Sequence, residues 1–80
     1  MQNDEIKSRL TPIFRDVFDD EALVVSEGMT AEDVAAWDSL SHLNMIVAVE
    51  KAFGVKFSVR DVRSLKNVGE LIELVKKKAG

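Results

Sequence analysis

Apolar residues recur at helical intervals in three separate stretches of this 80-residue chain, and no stretch alternates as a half-buried strand must. In the first stretch Ile6, Leu10, Ile13, Phe14, Val17 and Phe18 form one stripe of an amphipathic helix running from about Asp4 to Phe18. Leu40, Leu43, Ile46, Val47, Val49 and Phe53 repeat the pattern over Ser39 to Phe53, and Val68, Leu71, Ile72 and Val75 repeat it near the C-terminus. The spacing predicts an all-α chain, a small four-helix bundle of three longer helices and one short one, with a long connection between the first and second. A chain of this size builds one core, so residues 1–80 are expected to form a single domain.

Local signals sharpen the boundaries. Pro12 falls inside the first stripe, and its missing N–H and its ring predict a kink or break near Ser8 to Thr11. Asp19, Asp20 and Glu21 place acid where a helix C-terminus disfavours it, which ends the helix there. A connection of about 17 residues follows, pinned by Ala22 to Val25, with Thr30-Ala-Glu-Asp33 capping one short turn. Asp38 is the expected N-cap of the second helix, and Gly54 its left-handed stop, with Val55 making the accompanying apolar contact. Ser58-Val-Arg-Asp61 has the form of a capping box for a short third helix with Val62 and Leu65 inward; Asn67-Val-Gly-Glu70 opens the fourth. Lys76, Lys77 and Lys78 suit the C-terminal end of that helix.

Composition narrows the chemistry. With 46% hydrophobic and 31% charged residues the chain has enough apolar surface to fold, and its net charge of -3 argues against a general nucleic-acid binder. The absence of cysteine excludes disulfides, thiolate zinc sites and a cysteine nucleophile together, and one histidine among scattered carboxylates forms no closed metal-ligand set. A charged N-terminal stretch and the lack of any apolar run near 20 residues predict a soluble, cytoplasmic protein with no membrane span. The stripes are no wider than one bundle needs, so a monomer is expected. The charge is unevenly spread: residues 21–38 hold five acids and no base, whereas residues 39–80 hold eight Lys or Arg against four acids. Such a two-signed surface suits partner selection.

Ser39 and His42 are three residues apart on one helix, but neighbours on a helix seldom aim nucleophile and base at each other, and no third group is evident to orient the imidazole. His42 is expected to be a partly exposed surface residue, and Trp37 an anchor packing the loop end onto the bundle, with a contact surface beside Ser39 as its other role. Ser39 itself stands where an acidic loop ends in Trp37-Asp38 and an apolar helix begins. A phosphate ester on that hydroxyl would meet the N–H groups and positive end of the helix dipole.

With Asp38-Ser39-Leu40 followed by an apolar helix closing at Glu50-Lys51-Ala52-Phe53-Gly54-Val55, the sequence resembles the phosphopantetheine-dependent acyl carrier proteins over nearly its whole length. The resemblance implies a carrier rather than an enzyme. It implies that Ser39 takes 4'-phosphopantetheine from coenzyme A through a phosphopantetheinyl transferase, with Asp38 helping to position the serine and the transferase metal. The arm's thiol would hold acyl groups as thioesters and present them to acyl-activating or acyl-transferring enzymes. Leu43, Val47, Val62 and Leu65 are the candidates for lining a space for the acyl chain, although the same residues would serve as ordinary core. Trp37, Leu40, Asn44, Met45, Ala48 and Arg60 are the candidate partner contacts.

The sequence departs from the family's pattern in charge. Ser41, Asn44 and Lys51 stand where fatty-acid-synthesis carriers often have acids, and the third helix region carries Arg60, Arg63 and Lys66 against Asp61 alone. Charge reversal across an interface is repulsive, which points to a specialised pathway such as polyketide, lipid-modified polysaccharide or aminoacyl transfer. The alternative reading is an unmodified four-helix interaction module using Trp37, Leu40 and Met45.

Overall fold

Four helices, α1 (Asn3–Val17), α2 (Ser39–Phe53), α3 (Val59–Ser64) and α4 (Val68–Ala79), make up the regular structure of the computed structural model, which describes residues 2–34 and 37–79. There is no strand among the described residues, so the all-α expectation is met. The core is continuous: Ile6, Leu10 and Phe14 of α1 meet Met45, Ile46 and Val49 of α2 and Val68, Leu71, Ile72 and Val75 of α4. Leu23, Val25, Met29 and Val34 of the long loop close the same core.

The break predicted at Pro12 does not occur. α1 runs unbroken from Asn3 to Val17: Pro12 lies on the exposed side, where the Ser8 carbonyl that loses its partner is open to water, and the full burial of Ile6, Leu10 and Phe14 on the other side offsets the proline's cost. The helix then stops at Phe18, followed by Asp19 in the left-handed region at φ 52°.

The buried face of α2 also differs from the predicted one. Met45 is completely buried, whereas Leu40, Leu43 and Val47 are 69%, 56% and 49% exposed. This helix is apolar on two sides: Leu40, Leu43 and Val47 lie along one face by their three- and four-residue spacing, and Met45, Ile46 and Val49 lie on the opposite one. Contact with α1 decides which face goes in. Met45 is therefore a core residue and not a partner contact, and Leu43 and Val47 are not inward residues.

Capping follows the sequence closely. Gly54 closes α2 at φ 66°, a backbone that a side chain rarely adopts. Ser58 and Asp61 form the full reciprocal box of α3, with Asp61 N–H donating to Ser58 Oγ at 3.1 Å and Ser58 N–H to Asp61 Oδ2 at 3.0 Å. At α4 the box is shifted: Asn67 Oδ1 accepts from Glu70 N–H, but Glu70 reaches back to the N–H of Lys66.

Two of α4's orphan N–H groups are used to hold the long loop. Val68 N–H donates to Met29 O at 2.9 Å and Gly69 N–H to Glu27 O at 2.7 Å. A Cβ on Gly69 would lie 3.0 Å from Glu27 O and 3.2 Å from Asn67 Oδ1. Alanine raises helix propensity by about 1 kcal/mol, but forcing the loop away costs about 1–3 kcal/mol. Gly69→Ala is therefore expected to be net destabilising, lowering the urea midpoint; a raised midpoint would show that the loop yields freely.

Candidate functional site

The first turn of α2 is organised by its cap. Asp38 is extended (φ -114°, ψ -172°), its Oδ1 accepts from Ser41 N–H at 2.8 Å, and its carbonyl accepts from His42 N–H at 2.8 Å. The Ser41 N–H, and after it the Ser41 hydroxyl, holds the Asp38 carboxyl below its ordinary range. A carboxyl depressed on folding stabilises the fold fully above its unfolded value, near about pH 4, and that contribution is lost as pH falls through the folded value. Asparagine caps nearly as well without ionising. Asp38→Asn is thus expected to leave neutral-pH stability almost unchanged and to flatten the acid decline, read as urea midpoints from neutral to acid pH.

Ser39 is the first residue of α2 and is exposed, and its hydroxyl has no hydrogen-bond partner among the described residues. No acid occupies the first turn. The Ser39 N–H is among the donors left over at a helix start, and the hydroxyl stands at the positive end of the helix dipole, which the Asp38 carboxylate partly offsets.

Next to it runs a groove of about 750 Å³, lined by Ser39 and Asp38, by Ala31 and Trp37 of the loop, by His42 and Leu43 of α2, and by Val62, Arg63, Leu65 and Lys66 around α3. Three of the four residues predicted to line an acyl-chain space, Leu43, Val62 and Leu65, meet here; Val47 does not. This groove opens to the surface at Ser39, while the bundle interior is filled by side chains such as Phe14, Met45 and Leu71. Among the predicted contact residues Leu40, Asn44 and Arg60 are exposed and Ala48 is half-buried.

Trp37 is half-buried and packs edge-on against Phe14 at 5.6 Å between ring centroids, with Phe18 at 5.4 Å, so it anchors the loop end to α1 as expected. His42 is more than the surface residue read from the sequence. Trp37 Nε1–H donates to His42 Nδ1 at 3.1 Å, and His42 Nε2 lies 3.3 Å from Val62 O. With both nitrogens engaged away from Ser39, the two residues form no nucleophile–base pair. Sequence reasoning missed this bridge, whose only trace is an indole and an imidazole five residues apart across a helix cap. It also missed Arg63 and Lys66 as groove residues.

Around α3 charge is unbalanced. The carboxylate of Asp61 pairs with Lys78 Nζ at 3.3 Å, and the backbone N–H of Ser58 and then Lys78 hold it below its ordinary range. Arg60, Arg63 and Lys66 are exposed and have no salt-bridge partner among the described residues.

A sequence model for the phosphopantetheine attachment site family matches residues 8–75. The chain belongs to the acyl carrier protein family. It is 33% identical over 79 residues to the acyl carrier protein of Thermosynechococcus vestitus, covering 98% of this chain and 96% of that one. It is 30% identical over 81 residues to that of Borreliella burgdorferi, across the whole of both chains. Its fold matches the solution structure of a holo acyl carrier protein from Geobacter metallireducens, with TM-score 0.85, 49% identity and coverage of 91% of this chain and 84% of the other. Acyl carrier proteins are carriers and not enzymes, and their prosthetic group is 4'-phosphopantetheine. The residues present fit that group: an exposed hydroxyl at a helix start, beside a groove in which Leu43, Val62 and Leu65 are joined by the basic Arg63 and Lys66. No helix among the described residues is long and apolar enough to cross a membrane.

Proposed function

We propose that Ser39 is the attachment point of 4'-phosphopantetheine, placed there by a phosphopantetheinyl transferase, and that the chain acts as a discrete, monomeric, single-domain carrier in the cytoplasm. The observation that carries this reading is the position of the Ser39 hydroxyl, exposed and without a partner at the start of α2. When attached, the arm supplies the thiol, absent from this cysteine-free chain, that holds acyl groups as thioesters. Asp38 orders the first turn and keeps Ser39 presented to the transferase. The Ser39 N–H and the positive end of the α2 dipole favour the phosphodiester, and Leu43, Val62 and Leu65 offer apolar contact in the groove beside its root.

The basic residues Arg60, Arg63 and Lys66 favour partners with acidic surfaces, approaching Leu40, Asn44 and Ala48 on α2. That charge supports service in a specialised pathway over housekeeping fatty-acid synthesis, whose enzymes present basic surfaces to acidic carriers. Intact mass after incubation with coenzyme A and a promiscuous transferase tests the attachment. One pantetheinyl addition is expected; none, from a chain that is folded by circular dichroism, would favour an unmodified interaction module. Loading with fatty acyl, malonyl and aminoacyl donors then separates the pathways.

A further inference from the structure

His42 joins three elements at the groove: it belongs to α2, accepts from the loop through Trp37, and reaches α3 through the Val62 carbonyl. An indole N–H is only ever a donor, so His42 Nδ1 must be the acceptor. The neutral ring then carries its proton on Nε2 and donates it to Val62 O. One tautomer satisfies both bonds. The two ring planes lie 19° apart with centroids 6.0 Å apart, compatible with a linkage edge to edge through the hydrogen bond.

The Val62 bond matters because α3 has six residues and buries none of them fully. A helix that short has little stability of its own. Its ties to other helices are the partial burial of Val62 and Leu65, the Asp61–Lys78 ion pair and the His42 bond. The loop end is held by Trp37, one residue before the cap that presents Ser39.

We infer that His42 is a positioning residue of the carrier site, and that its neutral form fixes the Trp37 indole and α3 beside Ser39 while its protonation breaks the hydrogen bond to Trp37. The functional part of this inference rests on Ser39 being the attachment point. Protonation puts a second N–H on Nδ1, opposite the Trp37 donor 3.1 Å away, so that bond is lost. Nε2 keeps its proton and its bond to Val62. The change is therefore one-sided: the indole N–H loses its acceptor while Trp37 keeps its ring contacts with Phe14 and Phe18, and α3 stays tied. The charged groups sharing the groove with the imidazole are Asp38 at the α2 cap, Arg63 on α3 and Lys66 after it. From α1, the residues packed behind Trp37 are the uncharged Phe14 and Phe18.

The test uses the unmodified chain, so its outcome does not depend on whether Ser39 is loaded. Trp37 is the single tryptophan and reports on its own indole N–H. Nitrogen-detected NMR of the imidazole is expected to show the Nε2–H tautomer in the neutral ring. In an acid titration followed until the imidazole signals report the cation, the indole N–H resonance should move with the same midpoint as those signals, and its solvent exchange should rise about fivefold, the worth of one net hydrogen bond. His42→Gln supplies an acceptor and a donor without titrating, so the indole signal should keep its bonded position at every pH. An Nδ1–H tautomer, an indole signal indifferent to His42 titration, or the same pH response in His42→Gln would overturn the inference.

Discussion

Ser39→Ala is expected to reduce acyl loading from near one group per chain to background, with no measurable change in thermal or urea stability. The separation follows from the site's geometry. The Ser39 side chain is exposed and has no hydrogen-bond partner among the described residues, so removing it breaks no contact. Alanine also suits a first helical turn at least as well as serine does. The neighbouring Ser41 should not substitute, because it lies part-buried with its hydroxyl turned to the Asp38 carboxyl. Loading is read by trapping the labelled acyl group on the chain, and stability by circular dichroism. A variant that loads normally would remove Ser39 from the mechanism, and one that unfolds would make it structural.

Phe14→Ala should have the largest effect on the fold. Phe14 is fully buried, and its ring meets Phe18 at 5.5 Å and Trp37 at 5.6 Å in edge-to-face pairs. Truncating a buried phenylalanine costs about 3–5 kcal/mol, and a domain holds only about 5–15 kcal/mol in all. A chain of 80 residues sits toward the low end of that range, so the variant is expected to be largely unfolded at physiological temperature. Urea denaturation checks this. Because Trp37 rests on Phe14, its fluorescence should also shift toward that of a wet indole even where helix remains. A loss below 1 kcal/mol would mean that the site collapses around the smaller residue.

Caps and periods were the legible part of the fold. Asp38, Gly54 and the Ser58–Asp61 box act through neighbouring backbone groups, so four or five residues of sequence contain the whole interaction. Periodicity found the three longer helices, and a capping box the short one, but periodicity could not orient α2, where Leu40, Leu43 and Val47 compete with Met45, Ile46 and Val49 for the core. Contact with α1 settled that choice, and no single segment carries it. Pro12 misled for a related reason: its local cost to the helix is outweighed by the burial of Ile6, Leu10 and Phe14, which tertiary packing decides. At the site, Ser39 and its cap could be read directly. The Trp37–His42–Val62 bridge could not, since it joins residues up to 25 positions apart through a carbonyl that carries no side-chain signature. The Gly69 contact with Glu27 was hidden in the same way, a long-range approach of two backbones.

Peptide mapping by fragmentation of the chain after incubation with coenzyme A and a transferase is the most direct measurement of the attachment. The expected result is a single pantetheinyl group located on Ser39, with Ser41, Ser58 and Ser64 unmodified. A group on any other side chain, or a folded chain that accepts none, would contradict Ser39 as the carrier residue.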